Sequence, residues 1–333
     1  MYCWSQGVFP VSRFCLVCRS DNTEIYAQGQ DFEYMSSERA YHIRRCRTCG
    51  LLFLEDKPMI SDIQKLYSDR YYTVNPQSPL YLKGLIYRTK LRGDLKRVVR
   101  LIKAYRCGSI LECGCGNIQK LISLRKVFSR ERLRLVGIDI LLTREAKEAA
   151  RQHDIELYEG DVSILDDYHH IGQFDLILMS QILEHLYQPA EALAVIKKHM
   201  NAKAKILIET PSPSGLDFIL FRRRFWGGYH IPRHFYVFSR SSLGSLLEQI
   251  GFRTVKKGFM SSPGFWIISL RNALGLNSIK RSASPWEFIS FHNLFVVSIF
   301  TFIDFVAKFL FLGTSNQFVV AENVSMSTER SSS

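Results

Sequence analysis

The chain of 333 residues is 47% hydrophobic and 23% charged, which excludes a disordered or low-complexity protein and allows one large core with a small accessory module. Its formal net charge of +13 points to an acidic partner, whether nucleic acid, an anionic membrane surface or a phosphorylated substrate, without choosing among them. Eight cysteines in so long a chain exclude a small secreted disulfide scaffold, and the opening MYCWSQGVFP lacks the basic start and apolar run of a secretory signal, so a cytoplasmic setting is expected.

Residues 11–55 are polar and turn-rich and carry Cys15-x-x-Cys18 and Cys46-x-x-Cys49. Each pair can sit on a tight turn and present two thiolates to one tetrahedral zinc, and Gly50 suits the turn that follows the second pair. Four thiolates saturate such a site and make it structural. The alternatives are two unrelated thiol pairs or a redox CxxC, and His42 is a weaker substitute ligand. Residues 56–106 read as a helical linker. Within its part 80–106, Leu95, Val98, Val99 and Ile102 recur at helical spacing. Arg92, Lys96, Arg97, Arg100 and Lys103 cover the rest, as a solvated face rather than a phosphate-binding stripe.

From 107 to 260 the apolar runs SILEC, LRLVGID, IELYEG, FDLILM and AKILIET alternate with helical segments near 117–129, 143–153, 188–201 and 240–250. That alternation predicts a parallel sheet with helices on both faces. FRTVKK is the sixth strand, and QFVVAENV, in the segment 315–324, the seventh. Between them, 261–314 is an apolar helical insertion. Its part LFVVSIFTFIDFVAKFLFL, residues 294–312, carries a narrow polar stripe of Ser298, Thr301, Asp304 and Lys308, with Asp304 and Lys308 ordered for an i,i+4 pair. It is marginal as a membrane span. Packing against the domain or a second subunit ranks first, lying in a membrane interface second and spanning third. The tail 325–333 is expected to be disordered.

The run SILECGCGNIQKL goes from strand through a Gly-rich turn into a helix, the usual place for a nucleotide-type ligand. Ile118 breaks the dinucleotide pattern, in which a third glycine permits close helix–strand packing. A cofactor without phosphate tolerates a side chain there more readily. Glu112 can orient a cationic ammonium, while Cys113 and Cys115 read as small residues beside the turn rather than as a metal pair. Asp139 ends the second strand, where an acid hydrogen-bonds ribose hydroxyls. Asp161 follows the third and can accept from an adenine amine.

In these residues the chain resembles class I S-adenosylmethionine-dependent methyltransferases: ILECGCGN, VGIDI, EGDV and FDLILMSQILEHL match successive motifs, and ETPSPSG and FWGGYHIPRHFYVFSRSSLGSLLEQIGF resemble the same group. CLVC…CRTCGLLFL followed by LYSDRYY resembles the zinc-binding N-terminal region of a bacterial branch associated with sugar, polysaccharide and small-metabolite tailoring. Ile118 stands where the family usually has Gly. The resemblance implies an α/β fold with a Rossmann-like seven-stranded methyltransferase sheet and a small four-cysteine, zinc-ribbon-like module. It implies S-adenosyl-L-methionine and a structural Zn2+ as cofactors. The cofactor positions are Glu112, Gly114, Gly116, Asp139, Asp161, Val162 (beside the adenine) and Ser180.

The substrate side is expected from Glu184, His185, Trp226, His230, Arg233 and His234. The candidate bases are His234, His185 and His230, with His234 first because Arg233 beside it can hold an anionic substrate group. Gly227 and Gly228 are expected to let the chain fold closely over the cofactor. Arg222, Arg223 and Arg224 form an anion-binding candidate, with a solvated loop the favoured alternative. The acceptor implied is a small molecule, sugar or glycan precursor. An RNA base methyltransferase, or a cofactor-binding protein impaired by Ile118, is the alternative. Nucleic acid is the less favoured partner, because the zinc region lacks interleaved basic and aromatic clusters. Residues 290–312 offer either a homodimer contact or a peripheral one on the inner face of the membrane.

Overall fold

The computed structural model describes residues 13–59, 85–129, 133–168, 170–277, 285–310 and 312–324; the expectations for 66–72, 80–84 and 325–333 lie outside them. The described residues divide into two compact units. The first is drawn from 1–89, 210–243 and 259–317, the second from 90–209, 244–258 and 318–333. The expected module 11–55 and the insertion 261–314 therefore lie in the first unit, and the Gly-rich turn in the second.

In chain order the elements begin with β1 (Thr23–Gly29), β2 (Tyr41–Cys46), β3 (Leu52–Leu54) and α1 (Leu85–Tyr105). There follow β4 (Ser109–Cys113), α2 (Gln119–Val127), β5 (Arg134–Asp139), α3 (Arg144–Gln152), β6 (Glu156–Glu159), β7 (Phe174–Ser180), α4 (Pro189–Lys198) and β8 (Met200–Pro211). The last are α5 (Leu216–Phe221), β9 (Tyr236–Val237), α6 (Arg240–Ile250), β10 (Phe252–Met260), α7 (Pro263–Leu274), α8 (Leu294–Phe309) and β11 (Asn316–Asn323).

The second unit is built on a seven-stranded sheet in the order β6-β5-β4-β7-β8-β11-β10. β4 pairs in parallel with β5 and β7, β5 with β6, and β7 with β8. Strand order reverses at β4 and β7, which makes a switch point there. Val324 N–H donates to Gly251 O, at the end of β11 and the start of β10, so this pair runs antiparallel and the sheet is mixed. Ile110, Leu111, Leu176, Ile177, Leu178, Ile206, Leu207 and Ile208 are all buried. Runs apolar at every position are what a sheet covered on both faces requires. On α1, Val98 and Ile102 enter the core and Leu95 and Val99 pack against it, as their spacing predicts. Arg97 departs from the solvated face, since its guanidinium pairs with Glu209.

In the first unit, β1, β2 and β3 form an antiparallel sheet that β9 completes, with Leu52 opposite Val237. α7 and α8 pack together, with Trp266 and Phe300 stacked at 5.2 Å between ring centres. Here the expected polar stripe of α8 is corrected. Ser298, Thr301 and Lys308 are exposed, whereas Asp304 is buried. Instead of a surface pair with Lys308, its carboxylate accepts from Ser261 Oγ (3.1 Å), Ser262 N (2.6 Å) and Trp266 Nε1 (3.0 Å). A buried carboxylate needs such donors, so Asp304 pins the helix on its inner side. No helix among the described residues is long and apolar enough to cross a membrane.

Candidate active site

The Gly-rich turn sits at the carboxyl end of β4. Gly114 has φ +68°, and a Cβ there would meet Ile182 Cδ1 at 1.9 Å, so any other residue would be strained and would have to displace the Ile182 side chain. Gly116 has φ +50° with open space where its Cβ would be. That leaves a cradle beside the backbone. Ile118 also has a positive φ, +54°, as the residue preceding α2. A β-branched side chain in that region is strained by roughly 1–3 kcal/mol, which explains the family's glycine. Its side chain is fully buried in the core of the unit, and burial worth about 1.5–3 kcal/mol offsets the strain.

Asp139 ends β5. One carboxylate oxygen accepts from Gly116 N (2.8 Å) and the other from Leu141 N (3.1 Å). Burial pushes its pKa up against those amides. The acid read as a ribose ligand is thus also the brace of the Gly-rich turn. Asp161, after β6, caps the 3-10 turn Val162–Asp167 by accepting from Ser163 N (2.7 Å), and Val162 is buried. Cys113 and Cys115 are buried thiols. Cys115 Sγ fills the space beside Gly137.

The residue that motif spacing missed is Lys120. Its ammonium lies 2.7 Å from Glu112 Oε1 and donates to Ser180 Oγ at 3.0 Å. Glu112 lies on β4 and Ser180 ends β7, so the cluster stands at the switch point of the sheet. Burial raises the pKa of Glu112 despite the nearby cation, while Glu112 and Glu209 hold Lys120 protonated against the burial that opposes it. Glu112 Oε2 is buried and accepts no hydrogen bond among the described residues. A buried carboxylate oxygen without a donor is costly. This cluster fits a ligand end that brings its own ammonium.

The substrate-side residues are distributed unevenly. Glu184 (buried) and His185 (half-buried) occupy a 3-10 turn just after β7, in the second unit. Trp226, His230, Arg233 and His234 belong to the first. There, Arg233 is corrected: it is fully buried, its Nη2 lies 3.1 Å from Asp31 Oδ2, and its guanidinium lies 4.3 Å above the Tyr34 ring. The Arg233 charge and its hydrogen bond hold Asp31 below the usual carboxylate range, against the burial that would raise it. Trp226 is likewise interior, donating from Nε1 to Asp217 Oδ2 at 2.9 Å. Gly227 and Gly228 serve packing rather than cover. A Cβ on Gly227 would strike Ile268 of α7 at 2.6 Å, and one on Gly228 the Trp226 ring at 2.3 Å.

His230 Nδ1 lies 3.0 Å from Glu33 Oε1 and its ring packs edge-on against Tyr34. His234 Nδ1 lies 2.9 Å from Gly228 O. A carbonyl only accepts, so Nδ1 carries the proton and a neutral ring has its lone pair at Nε2. Arg222, Arg223 and Arg224 are exposed, with Arg223 Nη1 donating to Tyr26 O.

The four cysteines of the first unit converge, with all four Sγ atoms within 4.8 Å of one another. Sγ of Cys15 and Cys49, and of Cys18 and Cys46, are 3.4 Å apart. The two turns repeat each other. Arg19 N donates to Cys15 O as Gly50 N does to Cys46 O, and Cys15 N donates to Ser20 O as Cys46 N does to Leu51 O. Arg19 and Gly50 both have positive φ.

A family model described as a methyltransferase domain matches residues 87–257, just over half of the chain. Compared with curated protein sequences, the chain has no match. Among solved structures it is similar to the 1,6-didemethyltoxoflavin-N1-methyltransferase of Burkholderia thailandensis (TM-score 0.50, 13% identity, 88% of this chain and 99% of that one). It is also similar to a SAM-dependent methyltransferase from Archaeoglobus fulgidus (0.44, 22%, 70% and 94%) and to the N-methyltransferase NodS from Bradyrhizobium japonicum (0.45, 14%, 78% and 99%). The first of these likenesses shows the fold, and the family match shows the rest: the chain belongs to the methyltransferase-domain family and is an enzyme of that class.

Proposed function

We propose that the protein transfers a methyl group from S-adenosylmethionine to a small-molecule, sugar or glycan-precursor acceptor. The observation that carries the cofactor is the Glu112–Lys120 pair at the switch point, beside the open cradle at Gly116. Glu112 Oε2 would accept from the ammonium of the cofactor's amino-acid end, and Lys120 would meet its carboxylate. Asp139 would keep the turn shaped, with Asp161, Val162 and Ser180 at neighbouring strand ends. Bound S-adenosylmethionine supplies a methyl group activated by its sulfonium. The chain's own task is then orientation, exclusion of water and removal of the acceptor's proton.

His185 is the base we favour. It lies in the unit that holds the cofactor residues, and the support that Arg233 lent to His234 is gone. A screen of hydroxyl and amine acceptors with methyl-labelled cofactor tests the reading. Label should pass to a glycan-type or small-molecule acceptor, and His185→Asn should slow that transfer at least about 100-fold while cofactor affinity holds. Label passing only to RNA would favour the base-methylating alternative.

The reading extends to the metal. Cys15, Cys18, Cys46 and Cys49 would hold one structural zinc, since thiolates about 2.3 Å from a tetrahedral ion stand roughly 3.8 Å apart, a spacing that their Sγ positions support. Elemental analysis of protein purified without chelators should find about one zinc per chain, and a metal-free, folded protein would refute it.

A further inference from the structure

The outer face of α8 is apolar and solvent-exposed. Phe295, Phe302, Phe305 and Phe309 are 74, 65, 62 and 74% exposed. Leu294, Ile299, Leu310 and Leu312 are exposed with them. Positions 295, 299, 302 and 309 fall on one side of a helix, at i, i+4, i+7 and i+14. The opposite side is already committed, through Val296, Asp304 and Ala307. A contiguous apolar face of this kind on a helix of 16 residues, about 24 Å long, marks an interaction surface.

Charge decides what covers it. The one exposed charged residue of α8 is Lys308, and no acid of the helix is exposed, because Asp304 points inward. Elsewhere in the same unit, α5 packs on α7 as α8 does, exposes Ile219 and Leu220, and runs straight into exposed Arg222, Arg223 and Arg224. Trp286 and Phe288, shortly before α8, are also exposed, and Glu287 between them is paired with Arg271 at 3.5 Å. An apolar, aromatic helix face whose own exposed charge is cationic, in a unit that also exposes Arg222–Arg224, suits the boundary of an anionic bilayer. They do not suit a second copy, since two chains of net charge +13 repel each other. The helix also falls short of spanning.

We propose that the outer face of α8 lies in the surface of an anionic lipid bilayer, with Phe302 and Phe305 entering the acyl boundary and Arg222–Arg224 meeting headgroups. Co-sedimentation of the full chain with vesicles of phosphatidylcholine, alone or mixed with phosphatidylglycerol, tests this. Binding should be at least about tenfold stronger to the anionic vesicles and should weaken as salt is raised. Phe302→Glu with Phe305→Glu should abolish it, and Arg222→Gln, Arg223→Gln, Arg224→Gln should lower it about tenfold. Because Phe302 and Phe305 are exposed, their replacement should leave the melting temperature and the zinc content unchanged. No binding to either vesicle would overturn the proposal, as would binding that survives the paired Phe substitutions. So would a dimer by light scattering that those substitutions dissolve, which would mean that a second copy covers the face.

Discussion

The Gly-rich turn of the second unit and the WGGYHIPRHF segment of the first look alike on paper, each a short run dense in glycine and chemically capable side chains. In the structure they differ. Around the turn, the groups that matter sit at the ends of neighbouring parallel strands, and Glu112 retains a buried oxygen with no donor among the described residues. In the segment, the polar side chains already have distant partners: Arg233 has Asp31, His230 has Glu33 and Trp226 has Asp217. Chemical capability alone does not make a site. What separates the two is whether the folded chain has already used the capability.

The comparison breaks most visibly at Arg233. If it is structural, Arg233→Met should cost about 3–5 kcal/mol in urea unfolding by leaving buried Asp31 without its counter-charge, and adding Asp31→Asn should recover much of that loss. Were it a substrate ligand, stability would hold and KM would rise instead. Next comes Asp217, which is fully buried and whose pKa burial pushes up from 3.8 to about 6. Because the folded value lies above the unfolded one, Asp217 stabilises the protein fully below about pH 4. That stability falls as pH rises through about 6, by up to about 3 kcal/mol. Urea melts across this range should show the slope in the wild type and lose it in Asp217→Asn.

On the other side of the comparison, Lys120→Met should weaken S-adenosylhomocysteine binding about 10- to 100-fold, the worth of a hydrogen bond to a charged group. It should spare 5′-methylthioadenosine, which lacks the amino-acid end. Equal losses for the two ligands would make Lys120 a support of the fold.

These contrasts also explain what could be read from sequence. The strands SILEC and FDLILM are legible because apolar runs of strand length, alternating with helical segments, have few alternatives. Glu112, Gly114 and Gly116 are legible because one short turn carries them, and Asp139 because it ends the next strand. Lys120 was not, since a lysine in the first turn of a helix resembles any solvated one until β7 brings Ser180 to it. Nor was Asp304. Its place in a polar stripe with Lys308 is the same whether it faces water or Trp266, and only the loop at 261–262 decides. Arg233 and Asp31 lie too far apart in sequence for any local pattern to join them. Ile118 is a different case. The departure is plain in sequence, but its meaning, a positive φ held by a buried side chain, appears only in the backbone.

The buried oxygen of Glu112 is the centre of the account, and calorimetric titration of the full chain with S-adenosylhomocysteine addresses it most directly. The wild type should bind, and Glu112→Gln, which keeps the shape but not the charge, should still fold, at some cost in stability because buried Lys120 loses its counter-charge, and should bind at least about tenfold more weakly. A wild type that does not bind, or a folded Glu112→Gln variant that binds as the wild type does, would contradict it.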